Sequence, residues 1–208
     1  MLRYFTLLLI TLAPSLSAQW KNGDIIFSKT KGTQAIAVEA ATNSAWTHTA
    51  VIYLKGSTPM VFEAVQPVQI ITLEAYLKRS GSLAKHKFKR LKDPTLFDDT
   101  TLTKALAWAK KHVGKNYDGK FQWSDNTLYC SELVWKIYKE CADIELCKVN
   151  QVKDYNLEHP KVKSLIKARF GSVNRLNKEE KVVAPSDIYE SKFLEEFHPF
   201  KKSELQVK

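Results

Sequence analysis

Two short strands joined by a turn constrain this 208-residue chain more than any other segment. Over residues 46–54 the side chains alternate. Trp46, His48, Ala50, Ile52 and Leu54 share one face; Thr47, Thr49, Val51 and Tyr53 share the other. Lys55-Gly56-Ser57 supplies turn chemistry, and residues 60–65 return with Val61, Glu63 and Val65 on one face. The pattern predicts an antiparallel hairpin, and with it a fold built on an antiparallel sheet. Each strand carries a polar residue where an apolar one is expected: His48 beside Ala50 and Ile52, and Glu63 between Val61 and Val65. An imidazole or a carboxylate in such a place needs a partner. In a hairpin turning near Gly56 the two come opposite one another or nearly so, within cross-strand reach. They form either a buried structural pair or a base and the carboxylate that orients it.

The second constraint is a helix. Cys130, Leu133, Val134, Ile137 and Cys141 recur at helical spacing, so Cys130 falls in the first turn of an amphipathic helix. Asp125, Asn126 and Thr127 are its candidate caps. A helix N-terminus stabilises negative charge by up to ~2 kcal/mol, which brings a thiol from ~8.5 to roughly 7. An imidazolium at ~4 Å, in an effective dielectric of ~20, adds roughly 4 kcal/mol. The histidine partner therefore decides whether Cys130 is a nucleophile, and His48 is the candidate. Of the five histidines, His112 ends a helix over residues 101–113, which Gly114 closes. His86 sits in a basic strand, and His159 and His198 precede prolines in peripheral segments. The backbone N–H of Cys130 is one donor for an oxyanion. Tyr117 and Tyr129 are each a second donor or a packing aromatic, and Asp24 is a turn cap or a pocket residue. No metal-ligand spacing and no glycine-rich phosphate loop is present, so neither metal nor cofactor is expected.

Further elements are a strand at residues 25–28, a helix at 33–42, a short helix at 72–78 and a strand at 85–91. The run Lys85-His86-Lys87-Phe88-Lys89-Arg90 reads as a solvated sheet edge. The tail, with a basic helix at 161–170 and a helix start at Ala184-Pro185-Ser186-Asp187, reads as a peripheral wrap.

Residues 1–18 read as a secretory signal peptide. Arg3 is the positive n-region, an apolar run follows, and Ser15-Leu16-Ser17-Ala18 offers a cleavage site. That leaves residues 19–208 as one domain, periplasmic or secreted, with no membrane-spanning segment. In an oxidising compartment the three cysteines cannot all pair within one chain. If Cys141 and Cys147 pair, Cys130 stays free; Cys130 and Cys141, three helical turns and ~16 Å apart, are beyond disulfide reach. The formal net charge of +10 suits an anionic envelope surface. The export signal and the scattered lysines argue against nucleic acid.

The ordered string Gly23-Asp24-Ile25-Ile26-Phe27, Thr47-His48-Thr49-Ala50-Val51, Val61-Phe62-Glu63-Ala64-Val65, Gly114-Lys115-Asn116-Tyr117-Asp118, Trp123-Ser124-Asp125 and Tyr129-Cys130-Ser131-Glu132-Leu133-Val134-Trp135-Lys136 resembles the YiiX and YaeF family of bacterial permuted papain-fold cysteine hydrolases, a branch of the NlpC-type superfamily. The likeness runs from about Gly23 to the region of Pro185. It implies an α+β, circularly permuted papain-like fold, with an antiparallel sheet packed against the helix that carries the nucleophilic cysteine. It also implies catalysis by Cys130 as nucleophile, His48 as base and Glu63 as third member, through an acyl-enzyme, with Tyr117 bordering the pocket. Relatives in the wider superfamily make an amidase or peptidase on wall peptides the first expectation. A lipid acyl hydrolase or acyltransferase on the same fold is the second, and a non-catalytic envelope-binding module the third. The substrate is accordingly a small amide, a wall peptide or an acyl lipid.

Overall fold

The computed structural model describes residues 20–82 and 85–200; the expected signal peptide lies outside them. Six strands form one antiparallel sheet: β1 (Asp24–Ser28), β2 (His48–Lys55), β3 (Thr58–Glu63), β4 (Gln69–Thr72), β5 (His86–Leu91) and β8 (Leu194–Phe197), in the order β4-β3-β2-β1-β5-β8. Two short strands, β6 (Asn150–Gln151) and β7 (Lys181–Val182), pair separately. The helices are α1 (Thr33–Thr42), α2 (Leu73–Ser80), α3 (Asp99–His112), α4 (Cys130–Ala142), α5 (Pro160–Phe170) and α6 (Pro185–Tyr189). Among the described residues no helix is long and apolar enough to cross a membrane.

The alternation read from the sequence decides which helix covers which face. Ile25, Phe27, Val51 and Phe62 point to one side and pack with Trp108 of α3 and Leu133, Val134 and Ile137 of α4. Ile26, Ala50, Ile52, Val61 and Phe88 point to the other, against Leu73 and Tyr76 of α2 and against Trp20. A third apolar cluster, centred on Ala37, Val162 and Ile166, joins α1 to α5. At the turn entering β1, Gly23 has φ +84°, and a Cβ there would stand 2.7 Å from the ring of Phe97. Gly23→Ala is expected to cost about 2–3 kcal/mol, read as a lower denaturant midpoint at constant slope.

Three expectations are corrected. The basic strand is not an edge: β5 lies between β1 and β8, with His86 and Phe88 buried. Its cover is the tail, whose Glu195 and Glu196 register against Arg90 and Lys89, and Lys87 pairs with Glu196. Cross-strand charge pairing of this kind holds an acidic strand that carries little apolar signal of its own. The tail is therefore no mere wrap, since β8 completes the sheet. Nor do Asp125, Asn126 or Thr127 cap α4. Tyr129 is the residue before the helix, and the Glu132 carboxylate reaches back to accept from its N–H at 3.4 Å.

Candidate active site

Cys130 is the first residue of α4 and is buried. The start of this helix is tied down from several sides. Ser131 Oγ donates to the Val183 carbonyl at 2.7 Å. Fully buried Glu132 also accepts from the Ser124 N–H at 3.1 Å and pairs with Lys136 at 2.8 Å. Lys136 in turn donates to the Ser124 carbonyl and to Asp125, both at 2.7 Å. Burial still pushes Glu132 up to about 7, against the pull of Lys136.

His48 is the first residue of β2, at the end of the sheet, where a ring on the α2 side meets the N-terminus of α4. The β2–β3 register pairs Val51 with Phe62, which sets Glu63 across from Ala50 and one diagonal step from His48. His48 Nε2 lies 2.9 Å from Glu63 Oε2, and the ring also hydrogen-bonds Cys130, which leaves Nδ1 to face the sulfur. Glu63 has no exposed surface. Its two oxygens accept a guanidinium fork from Arg79, at 2.8 and 2.7 Å, and Oε1 accepts from Gln69 Nε2 at 2.9 Å. Every oxygen of this buried carboxylate is thus held.

Electrostatics follow from these contacts. For His48, burial opposes the charged ring, but the bonds to Cys130 and Glu63 outweigh it and bring the group up to about 9. Burial also opposes charge on Glu63, yet His48 and Arg79 hold it down at about 2. The Cys130 thiol is lowered: desolvation pushes it up, and the bond and charge of His48, with the N–H groups of Thr49 and Ser131, pull it further down. The contacts between the two groups favour the thiolate and the imidazolium together. Cys141 and Cys147 behave oppositely. Both are unpaired, and burial pushes them up to about 11 and about 12.

Behind His48, Tyr76 stacks at 6.2 Å between ring centroids. The Tyr76 hydroxyl meets Ser28 Oγ at 2.7 Å, and that oxygen meets His86 Nδ1 at 2.8 Å. Burial lowers His86 to about 4, so it is a neutral support and not a second base.

The other sequence candidates separate. The Tyr117 hydroxyl is at the sulfur, with which it shares a hydrogen bond. It accepts from Gln34 Nε2 at 2.7 Å, and Gln34 Oε1 accepts from Arg169 Nη2 at 2.6 Å. Arg169 has only donors, so it fixes the orientation of the Gln34 amide. Gln34 then fills the acceptor side of Tyr117 and leaves its one proton to point at the sulfur. Gln34, Arg169 and Arg79 escaped the sequence reading, because no local pattern marks them. Tyr129 is buried edge-to-face on Phe121, and its hydroxyl accepts from the Val183 N–H at 3.2 Å. Of the two readings of Asp24, the turn cap is the one observed: it caps its own turn through Lys21 N–H at 2.8 Å and takes a fork from Arg90 at 3.1 and 2.8 Å. It stands four residues along β1 from Ser28, the residue paired with His48, hence ~13 Å away and not at the pocket.

Comparison with known proteins concerns the family and the fold. A family model described as permuted papain-like amidase enzyme, YaeF/YiiX, C92 family, matches residues 19–198. The chain is 31% identical over 189 residues to the uncharacterized protein YiiX of Escherichia coli K12, covering 91% of each. It also superposes on a crystal structure described as metalloprotein yiiX from Escherichia coli O157:H7, with TM-score 0.79 and 32% identity over 86% of this chain and 97% of that one. Among the described residues of the present chain, no group of three or more His, Cys, Asp or Glu comes together as a metal donor set.

Proposed function

The chain belongs to the YaeF/YiiX family of permuted papain-like cysteine amidases, and on that premise we propose that Cys130, His48 and Glu63 form its catalytic triad in an exported amidase. The fold is α+β and permuted, with the histidine strand ahead of the cysteine helix in the chain. The observation that carries the triad is the continuous chain of bonds from a lowered thiol, through a raised imidazole, to a buried carboxylate held by Arg79.

The thiolate of Cys130 attacks the amide carbonyl, forming a C–S bond. The oxyanion receives the Cys130 N–H and the Tyr117 O–H. His48 gives its proton to the departing nitrogen as the C–N bond breaks. Water then attacks the thioester, His48 takes the water's proton, and the C–S bond breaks to release the acid and regenerate the thiolate. Glu63 holds the imidazole in place throughout. Gln34 and Arg169 are positioning residues that act through Tyr117.

Export is part of the proposal. Residues 1–18 would be removed, and residues 19–208 would act as one catalytic unit in the periplasm or outside the cell, on envelope material. The n-region, apolar run and small residues of the leader support it, and the net charge, +10 for the whole chain and +9 once Arg3 leaves with the leader, suits an anionic envelope surface.

Rates of iodoacetamide alkylation followed by intact mass test the reading. Cys130 is expected to react well below pH 8 and ahead of Cys141 and Cys147, with loss of amide hydrolysis in step. A thiol that titrates near its ordinary value would instead fit a binding module that keeps the fold. Tyr117→Phe is expected to lower kcat about 100-fold with a smaller change in KM, measured on any amide the enzyme turns over.

A further inference from the structure

Three neighbouring strands place a row of polar side chains at one level of the sheet. Ser28 of β1 is paired with His48 of β2 on one side and with His86 of β5 on the other. Directly paired residues of antiparallel strands point to the same face. His48, Ser28 and His86 therefore all face α2, in a line ~10 Å long. Tyr76 of α2 lies against that line, and Ser28, Tyr76 and His86 are all buried. The amide hydrolysis described above gives none of these three a step.

The supply of protons fixes the direction of every hydrogen bond in this cluster. Burial keeps His86 neutral, with a single ring proton to give. Ser80 Oγ donates its only proton to the Tyr76 carbonyl at 2.6 Å, so toward His86 Nε2, 3.3 Å away, it accepts. The ring proton is then on Nε2, in keeping with a bond from this imidazole to the Gly81 carbonyl. His86 Nδ1 is left with a lone pair, and Ser28 Oγ donates to it at 2.8 Å. Ser28 has no second proton, so the Tyr76 hydroxyl donates to Ser28 at 2.7 Å. The bonds close a circuit that leaves Tyr76 by its hydroxyl and returns to its carbonyl. Tyr76 is thus tied at both ends, by its backbone in α2 and by its hydroxyl on the sheet.

What the tether holds is the base. The bonds of His48 to Glu63 and Cys130 fix two points of the imidazole and leave it free to roll about the line between them. The Tyr76 ring lies 18° from the imidazole plane and blocks that roll. On Tyr76 also rests Arg79, whose guanidinium carbon is 5.2 Å from the ring centroid and which forks Glu63. Resting on the triad reading, we propose that Tyr76, Ser28 and His86 are positioning residues of the amidase: the circuit clamps Tyr76, and Tyr76 keeps the His48 ring aimed at Cys130.

Tyr76→Phe, His86→Leu and His86→Asn test this in the whole protein. The first keeps the aromatic plane and loses its tether. The second removes the acceptor for Ser28, and the third keeps an oxygen where Nδ1 stands. Each is read by kcat and KM on an amide that the native enzyme turns over, and by iodoacetamide alkylation of Cys130 near neutral pH, per folded molecule from a thermal melt. Tyr76→Phe and His86→Leu are expected to lower kcat about ten-fold with KM nearly unchanged, and to slow alkylation alike. His86→Asn should recover most of both losses. Tyr76→Leu, which takes away the plane itself, should lower kcat about 100-fold, the cost of a reacting group displaced by ~1 Å. Native kcat and native alkylation in Tyr76→Phe and His86→Leu, with only the melting temperature lowered, overturn the proposal and leave the triad standing. Equal losses in His86→Leu and His86→Asn overturn the circuit. A native Cys130 that alkylates no faster than Cys141 and Cys147 overturns the triad, and the positioning role with it.

Discussion

Replacing Cys130 with alanine is expected to reduce amide hydrolysis by about four to six orders of magnitude, to the level that binding and the oxyanion donors alone sustain. The side chain is small and the site is at a helix start, so the melting temperature should change little. The loss should therefore appear in kcat and not in folded fraction. The variant also tests the pairing. His48 is raised to about 9 first of all by its bond to Cys130, against the pull of burial, so without the thiolate its titration should move down, as followed by the imidazole resonances. Cys130 and His48 act as a unit, so the double variant with His48→Ala should be scarcely slower than either single one. Undiminished hydrolysis by Cys130→Ala would sink the mechanism, because neither other thiol is held in its charged form.

Glu63→Gln should be the next most damaging change. It keeps the shape of the side chain and removes its charge, and kcat is expected to fall about 1,000-fold. The pH profile distinguishes this from simple loss of packing. In the native enzyme the acid limb follows Cys130, which is held below its ordinary value, and the alkaline limb follows His48 at about 9. Activity needs the thiolate and the imidazolium together, so it rises as Cys130 deprotonates and is lost as pH climbs through about 9. Without the carboxylate the imidazolium loses one of its two supports, and the alkaline limb should move to lower pH. An unmoved limb would mean that Glu63 only fills space. Stability follows the same groups. The share from His48 is complete below its ordinary 6.5 and is lost as pH rises through about 9. The share from Glu63 is complete above its ordinary 4.5 and is lost as pH falls through about 2.

What was legible in the sequence was what left a local trace. The β2–β3 hairpin announced itself by alternation, and His48 and Glu63 by being polar on an apolar face. Cys130 stood out by helical phase. The reading missed what only tertiary structure brings together. Leu194–Phe197 carries two acids in four residues and becomes a strand because β5 presents basic partners; for the same reason β5 was mistaken for an edge. Gln34 and Arg169 are 135 residues apart, and neither position has a pattern that points to Tyr117. Asp24 was ambiguous for a physical reason, since a buried carboxylate at a turn looks the same whether it meets Arg90 or a substrate. The apolar cluster between α1 and α5 joins two elements that the sequence marks only as a helix at 33–42 and a basic helix at 161–170.

The order of elements along the chain has a consequence of timing. β1 to β5 all precede α4, and they are neighbours in the sheet. The half of the molecule made first can therefore assemble five strands and bring His48, Glu63 and Arg79 together before Cys130 exists. Until α4 docks, the cysteine has no imidazolium beside it and remains an ordinary, mostly protonated thiol. Its reactivity is created by the docking of two halves, so a half-made or partly unfolded chain is chemically quiet at the residue that oxidants would otherwise reach first.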